Sequence, residues 1–300
     1  MEYNVSDSKE LVFNKLLNIL VEFDRVCSEN HLKYSLHGGT LIGAIRHKGF
    51  IPWDDDVDIL MPRESYDKFY DLCLKGVLKS PYFMQSPETD EGSSRMFLRI
   101  RDSLTTSISN SDVLYKMNHG MFIDVFPFDY FPNGSIKRKL YITKLTIIDK
   151  LAGGYSRFYA GIGCKNESVL KKLEYYFLYP FYKTGVITAK KMFKKFNKVA
   201  SKYSGDKCDE MADSLWLVYD NTYHYPKDII EKGFITASFE GQPLQILKEY
   251  DRILTMTYGD YMTPKQEPTS HGELIQKVGI PYDEFIDKYK EELIKNWKKD

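Results

Sequence analysis

Residues 36–68, LHGGTLIGAIRHKGFIPWDDDVDILMPRESYDK, constrain the fold of this 300-residue chain more than any other stretch. Tyr34, Leu36 and their neighbours read as a strand running into Gly38-Gly39. Thr40 is placed to cap a helix that reaches Lys48, and Gly49 to end it in the left-handed conformation. A second strand, Val57 to Met61, begins inside the acidic run Asp54-Asp55-Asp56-Val57-Asp58 and stops at Pro62. Strand residues alternate faces, so Asp56 and Asp58 point the same way, about 6–7 Å apart. Two carboxylates on one face repel each other. A divalent cation such as Mg²⁺ would remove that repulsion.

A third carboxylate, Asp124, sits mid-strand between Ile123 and Val125 in GMFIDVFPFD. A carboxylate amid apolar neighbours is costly unless an arginine pairs with it or it coordinates a cation. With Asp56 and Asp58 awaiting another ligand, the cation is the favoured partner. Asp54 and Asp55 have no assigned role beyond orienting the loop or its waters, or capping the strand.

On these residues the chain resembles the LicD family of phosphotransferases, within the nucleotidyltransferase superfamily. The match is nearly continuous from Tyr34 to Phe69, and GGTLIGAIRHKGFIPWDDDVDI as a unit is specific. Further matches fall at RIRDSLTT (99–106), in GMFIDVFPFD, and at FEG with YGDYM (239–262). The superfamily pattern is a small-residue turn after a strand, a helix, a D-x-D on the next strand and a later third carboxylate. Here Gly38-Gly39, Asp56, Asp58 and Asp124 fill those places. The resemblance implies an α/β (α+β) fold: a nucleotidyltransferase-like mixed sheet core flanked by helices, with a helical insert. The catalytic core is expected over residues 1–135 and the insert over 136–209, with 210–300 completing the core.

Composition narrows the class. The four cysteines, Cys27, Cys73, Cys164 and Cys208, are far apart and lack C-x-x-C spacing. That argues against a zinc site or a disulfide scaffold and fits a reducing cytosol. The N-terminal residues do not read as a signal peptide. No run approaches the ~18 apolar residues of a membrane span. A cytoplasmic location is expected, with contact at the inner face of the membrane if the basic segment described below docks there.

Along the chain, residues 7–29 carry an apolar stripe of helical period, and Arg63 to Lys75 a second helix. Tyr82 to Gln85, Met96 to Arg101, Thr105 to Ser109 and Met121 to Phe126 read as short strands. Residues 137–207 hold 17 Lys and Arg against 4 Asp and Glu, an excess of 13 positive charges that the rest of the chain balances. Their pattern is helical: Ile136 to Leu151, Val169 to Lys183 and Thr188 to Ser204. Basic helices with apolar faces can lie on an anionic membrane surface; a solvated basic insert with an ordinary core face is the alternative. No nucleic-acid motif accompanies the charge, so no nucleic-acid partner is expected. Leu215 to Tyr219 and Phe234 to Phe239 look β-like. Leu247 to Tyr258 and Asp283 to Lys299 look helical.

Phosphoryl transfer asks for positioning and charge neutralisation rather than an elaborate nucleophile. Three carboxylates can hold two Mg²⁺ or Mn²⁺ ions. Asp56 and Asp58 are assigned to metal binding, and Asp124 to metal binding and to accepting the attacking hydroxyl's proton. Gly38 and Gly39 would let a phosphate approach the backbone, and Thr40 would donate its hydroxyl. Arg46, Lys48, Arg99 and Arg101 are candidates for pyrophosphate charge, or for pairing with the acids. Trp53 brackets the acidic run at the expected substrate site. Glu240 and His271 match family positions; His37 and His47 read as structural.

The resemblance further implies a CDP-alcohol donor, CDP-choline foremost, with CDP-ribitol and CDP-glycerol used by relatives. The phospho-alcohol would pass to a sugar hydroxyl of a cell-surface glycan or teichoic acid precursor, often lipid-linked, and CMP would leave. A choline headgroup would call for an aromatic cage. Two other readings share the carboxylates. One is a nucleotidyltransferase that adds a nucleoside monophosphate and releases pyrophosphate. The other is a non-catalytic Ca²⁺-dependent carbohydrate- or membrane-binding module.

Overall fold

The computed structural model describes residues 5–109, 111–164, 168–265 and 274–297, so His271 lies outside the described residues. Helix α1 (Lys9–Glu29) turns the predicted apolar stripe inward, burying Leu16, Ile19, Phe23 and Val26. Strand β1 (Ser35–Leu36) then leads into helix α2 (Gly38–Arg46). Strand β2 (Asp58–Pro62) runs directly into helix α3 (Arg63–Leu74), where Pro62 stands at the N-cap. Three strands follow, β3 (Tyr82–Gln85), β4 (Leu98–Asp102) and β5 (Thr106–Ile108), and then the long β6 (Met121–Phe131).

Helices α4 (Ser135–Tyr159), α5 (Val169–Lys183) and α6 (Ala189–Ala200) occupy the basic stretch. The chain returns through β7 (Glu210–Asp213), α7 (Trp216–Tyr219), β8 (His224–Pro226) and α8 (Asp228–Glu231). The hairpin β9 (Phe234–Phe239) and β10 (Gln242–Leu247) precedes α9 (Tyr250–Tyr258), β11 (Ile275–Lys277) and α10 (Tyr282–Trp297).

Seven strands form one mixed sheet in the order β1-β2-β6-β4-β3, with β7 and β8 joined through β6. Strand β6 is the spine. One edge pairs in parallel with β2 over residues 124–128. The other pairs antiparallel with β4 over residues 121–125 and with β7 over 128–131. Phe126 and Pro127 fall at the changeover between those two partners. Proline has no N–H to donate, so it suits the place where one edge changes partner. Helices α1 and α3 pack against this sheet, and the face they cover carries the apolar Ile59, Ile100, Ile123 and Val125.

α4 and α6 pack together, and Leu145, Ile148, Phe193 and Phe196 join the main core. Helix α5 buries Tyr182 and leaves most of its other residues outside. Among the described residues, no helix is long and apolar enough to cross a membrane.

Several local expectations are corrected. Helix α2 begins at Gly38 with His37 at its N-cap, three residues before Thr40, and ends at Arg46. The left-handed residue after it is Lys48, with φ 60°, rather than Gly49. Strand β2 starts at Asp58, so Asp56 belongs to the preceding loop. The segment expected to be β-like at Leu215 to Tyr219 contains the short helix α7. Its start is held by Asp213, whose Oδ1 accepts from the backbone N–H of Leu215 and of Trp216 at 2.9 and 3.2 Å.

Candidate active site

The parallel register of β2 and β6 sets Asp58 opposite Asp124. Paired residues of adjacent strands point to the same face, so the two carboxylates stand side by side. Arg99 of β4 lies opposite Asp124 on the other edge, and Gln85 of β3 opposite Arg99. A polar row therefore crosses four strands on the face away from α1. Arg99 binds Asp124 through two parallel hydrogen bonds, Nε to Oδ1 at 2.6 Å and Nη2 to Oδ2 at 3.0 Å. Both residues are buried.

The loop before β2 brings in the remaining acids. Asp54, Asp55 and Asp56 offer carboxylate oxygens within 4.8 Å of one another. Two glycines make room for them. A Cβ on Gly39 would stand 2.5 Å from Asp54 Oδ2, and one on Gly38 would stand 3.1 Å from Asp58 Oδ2. Gly38 also has φ 54°, which disfavours a side chain. The glycine turn therefore admits carboxylates of its own chain. The hydroxyl of Thr40 is buried and accepts from the backbone N–H of Asp58 at 2.9 Å, tying α2 to the start of β2.

Crowding changes the acids' protonation. Burial, then the charge of Asp56, pushes Asp54 up to about 7. Burial, then the charges of Asp56, Asp124 and Asp54, pushes Asp58 well above the usual carboxylate range. These are hard oxygen donors gathered at unfavourable like-charge distances, which fits a Mg²⁺- or Mn²⁺-type cation better than a softer metal.

The acids line one wall of a cleft of about 610 Å³. Its other walls carry Arg46, Trp53, Trp216, Tyr223 and Tyr258. Trp216 and Tyr223 stack with ring centroids 5.3 Å apart. Arg46 is anchored by Nη1 donating to the Tyr261 carbonyl at 2.6 Å. A second cavity, about 560 Å³, adjoins the cleft and shares Asp124, Phe126 and Trp216 with it. Both lie along the β6 changeover at Phe126.

Of the residues singled out from the sequence, Asp56, Asp58, Asp124, Gly39, Arg46 and Trp53 line this cleft. Gly38 and Thr40 support its floor. Arg99 reaches it through Asp124, and Arg101 faces a different cavity. Lys48 is exposed and outside the cleft walls. Glu240 is likewise outside them: its N–H donates to the Lys48 carbonyl at 2.8 Å and its Oε1 accepts from Phe50 N–H at 3.0 Å. It clamps the loop that leads to the acids. Asp54, Asp55, Trp216, Tyr223 and Tyr258 are additions to the sequence reading. The run of acids and the YGDYM match marked three of them; nothing local marked Trp216 or Tyr223.

The family model described as LicD/FKTN/FKRP, nucleotidyltransferase domain, matches residues 31–150. The lipopolysaccharide cholinephosphotransferase LicD of Haemophilus influenzae is 30% identical over 274 residues, covering 88% of this chain and 95% of that one. An uncharacterized protein of Rickettsia prowazekii is 31% identical over 96 residues, covering 26% of this chain and 35% of its own. Mannosyltransferase regulator 4 of Saccharomyces cerevisiae is 29% identical over 131 residues, covering 40% of this chain and 10% of its own. With a cleft built on the D-x-D and third-strand carboxylates, and a relative matched along nearly its whole length, the chain belongs to the LicD family of phosphotransferases.

Proposed function

We propose that this protein transfers phosphocholine from CDP-choline to a sugar hydroxyl of a cell-surface glycan, of the lipopolysaccharide or teichoic acid kind, and releases CMP. The observation that carries this reading is the cleft itself: a carboxylate cluster faces stacked and single aromatic rings across one cavity. The near full-length likeness to a cholinephosphotransferase supports phosphocholine as the transferred group.

Two Mg²⁺ or Mn²⁺ ions would be held by Asp56, Asp58 and Asp124, with Asp54 and Asp55 closing the donor set. When bound, they would neutralise the diphosphate charge. The acceptor oxygen bonds to the phosphorus that carries choline, and the bond from that phosphorus to the oxygen of CMP breaks. The hydroxyl proton passes to a carboxylate. Arg99 occupies both oxygens of Asp124, which makes Asp124 a positioning group and a poor base. Asp58, which lines the same cleft and carries no arginine on its carboxylate among the described residues, is the better acceptor. Arg46 meets the diphosphate. Trp216, Tyr223 and Tyr258 present π-faces to the quaternary ammonium.

Calorimetric titration with CDP-choline, CDP-ribitol, CDP-glycerol and CMP, with and without Mg²⁺, tests this. CDP-choline is expected to bind best, in a metal-dependent way, and Asp58→Ala to abolish CMP release while remaining folded. Metal-dependent binding of another CDP-alcohol would reassign the donor. Preferential binding of a nucleoside triphosphate with pyrophosphate release would replace the reading with nucleotidyl transfer. Binding of Ca²⁺ with no nucleotide would end the enzymatic reading.

A further inference from the structure

A third cavity, about 310 Å³, has Arg95, Arg99 and Arg101 in its wall together with Ser107 and His119. Arg99 and Arg101 share a face of β4 because they are two residues apart. Asp124 neutralises Arg99. Arg101, 2% exposed, has no carboxylate partner among the described residues. Its Nε donates to Gln85 Oε1 at 2.7 Å and its Nη1 to the Gly120 carbonyl at 2.5 Å, both uncharged acceptors. Burial, then the charges of Arg99 and Arg95, holds its guanidinium below the ordinary value. A buried charge without a counter-charge is expensive.

Asp124 and Asp90 favour the Arg101 charge without pairing with it, and the wall itself adds one carboxylate, Asp112, which acts on Arg95. Asp112 Oδ2 accepts from Ser109 N–H. His119 is kept neutral by burial, pushed down to about 4, and its Nε2 contacts the Tyr115 carbonyl at 2.9 Å. Ser107, 4% exposed, has a buried Oγ with no hydrogen-bond partner among the described residues. Arg95 makes no hydrogen bond to a described residue. Guanidinium forks beside a spare hydroxyl are the donors that a phosphate group takes.

This cavity adjoins the second one. The two share Arg95, Asp112 and Met117, and the second shares Asp124 and Phe126 with the acidic cleft. A ligand anchored at the arginines would lie along the second cavity and bring its far end to Asp124. We propose that the acceptor is a phosphorylated saccharide: its phosphate group binds Arg95, Arg101 and Ser107, its sugar fills the second cavity, and its attacked hydroxyl reaches the carboxylates. The assignment rests on the transferase reading above.

Titration calorimetry of the full chain in EDTA tests it, with glucose 1-phosphate, inorganic phosphate and glucose as probes. Glucose 1-phosphate is expected to bind more tightly than inorganic phosphate, and glucose not to bind measurably. Arg95→Gln and Ser107→Ala should each weaken the sugar phosphate on the order of ten-fold, the worth of one charge-assisted hydrogen bond. Ser107→Ala removes a hydroxyl that has no partner, so its melting temperature should hold, and it reads the site even if an arginine variant unfolds. Failure of either phosphate to bind, equal binding of glucose, or wild-type affinity in both variants would overturn the site. Equal affinity for the two phosphates would overturn the acceptor assignment. CDP-choline is titrated with Mg²⁺ into the same preparation. Its failure beside a positive sugar-phosphate result would count against the transferase reading alone.

Discussion

Gly39 shows how a single missing atom sets the charge geometry of the cleft. Its backbone is ordinary helix, so alanine fits there conformationally and should favour the helix by ~0.5–1 kcal/mol. The new methyl group would instead meet Asp54 Oδ2 at 2.5 Å and turn that carboxylate away from Asp55 and Asp56. Gly39→Ala is therefore expected to keep its melting temperature and to lose CMP release on the order of ten-fold, from weakened cation affinity rather than misfolding. A double-mutant cycle decides it: in an Asp54→Ala background the glycine change should cost nothing more. Full additivity of the two losses would rule out the contact. The acids themselves were legible in the chain because a carboxylate run beside a tryptophan and a strand has few uses. Their division of labour was not. Asp54 joins the cluster only because the loop folds back over the glycine turn, and Asp124 meets Arg99 only through a strand register that spans 25 residues of chain.

At the level of elements, β7 and α7 decide where Trp216 stands between the two larger cavities. Asp213 ends the strand and caps the helix through Oδ1, while its buried Oδ2 has no partner among the described residues. Burial pushes its carboxyl from the ordinary 3.8 up to about 7. Between those values the unfolded chain has released this proton and the folded chain has kept it. Stability is then highest below pH 4 for this group and falls as pH rises towards 7, by up to ~1.4 kcal/mol per unit. Asp213→Asn keeps the capping oxygen and removes the titration. Urea unfolding from pH 4.5 to 7.5 should show a shallower decline in the variant than in the wild type; parallel profiles would refute the assignment. The same place explains a misreading. Leu-Trp-Leu-Val-Tyr is β-prone by composition, and its helical turn comes from a cap supplied by the preceding strand. By contrast, α1 followed its periodicity, because one long apolar face decides it, and β3 and β9 followed their β-prone composition.

On the scale of the whole molecule, zero net charge conceals a division: acids line the cleft and the basic excess lies in α4 to α6. Within that part, α5 leaves Val169, Leu170, Leu173, Tyr176 and Phe177 each more than 60% exposed. Leu170, Leu173 and Phe177 fall on one helical stripe, with Lys171 and Lys172 beside it. Single exposed apolar residues are common, but a stripe of them beside lysines is what an interaction surface would present, and we propose that α5 is one. An anionic bilayer satisfies both halves, since apolar side chains enter the headgroup boundary and each lysine near the surface adds about 1 kcal/mol. Such a contact would bring the cleft to a lipid-linked acceptor. The full chain should co-sediment with vesicles containing anionic lipid and much less with purely zwitterionic ones, and the binding should weaken with salt. Leu173→Glu with Phe177→Glu should abolish sedimentation while leaving turnover on a water-soluble acceptor unchanged, because neither residue approaches the cleft. Equal sedimentation of wild type and variant would show that α5 faces something other than lipid.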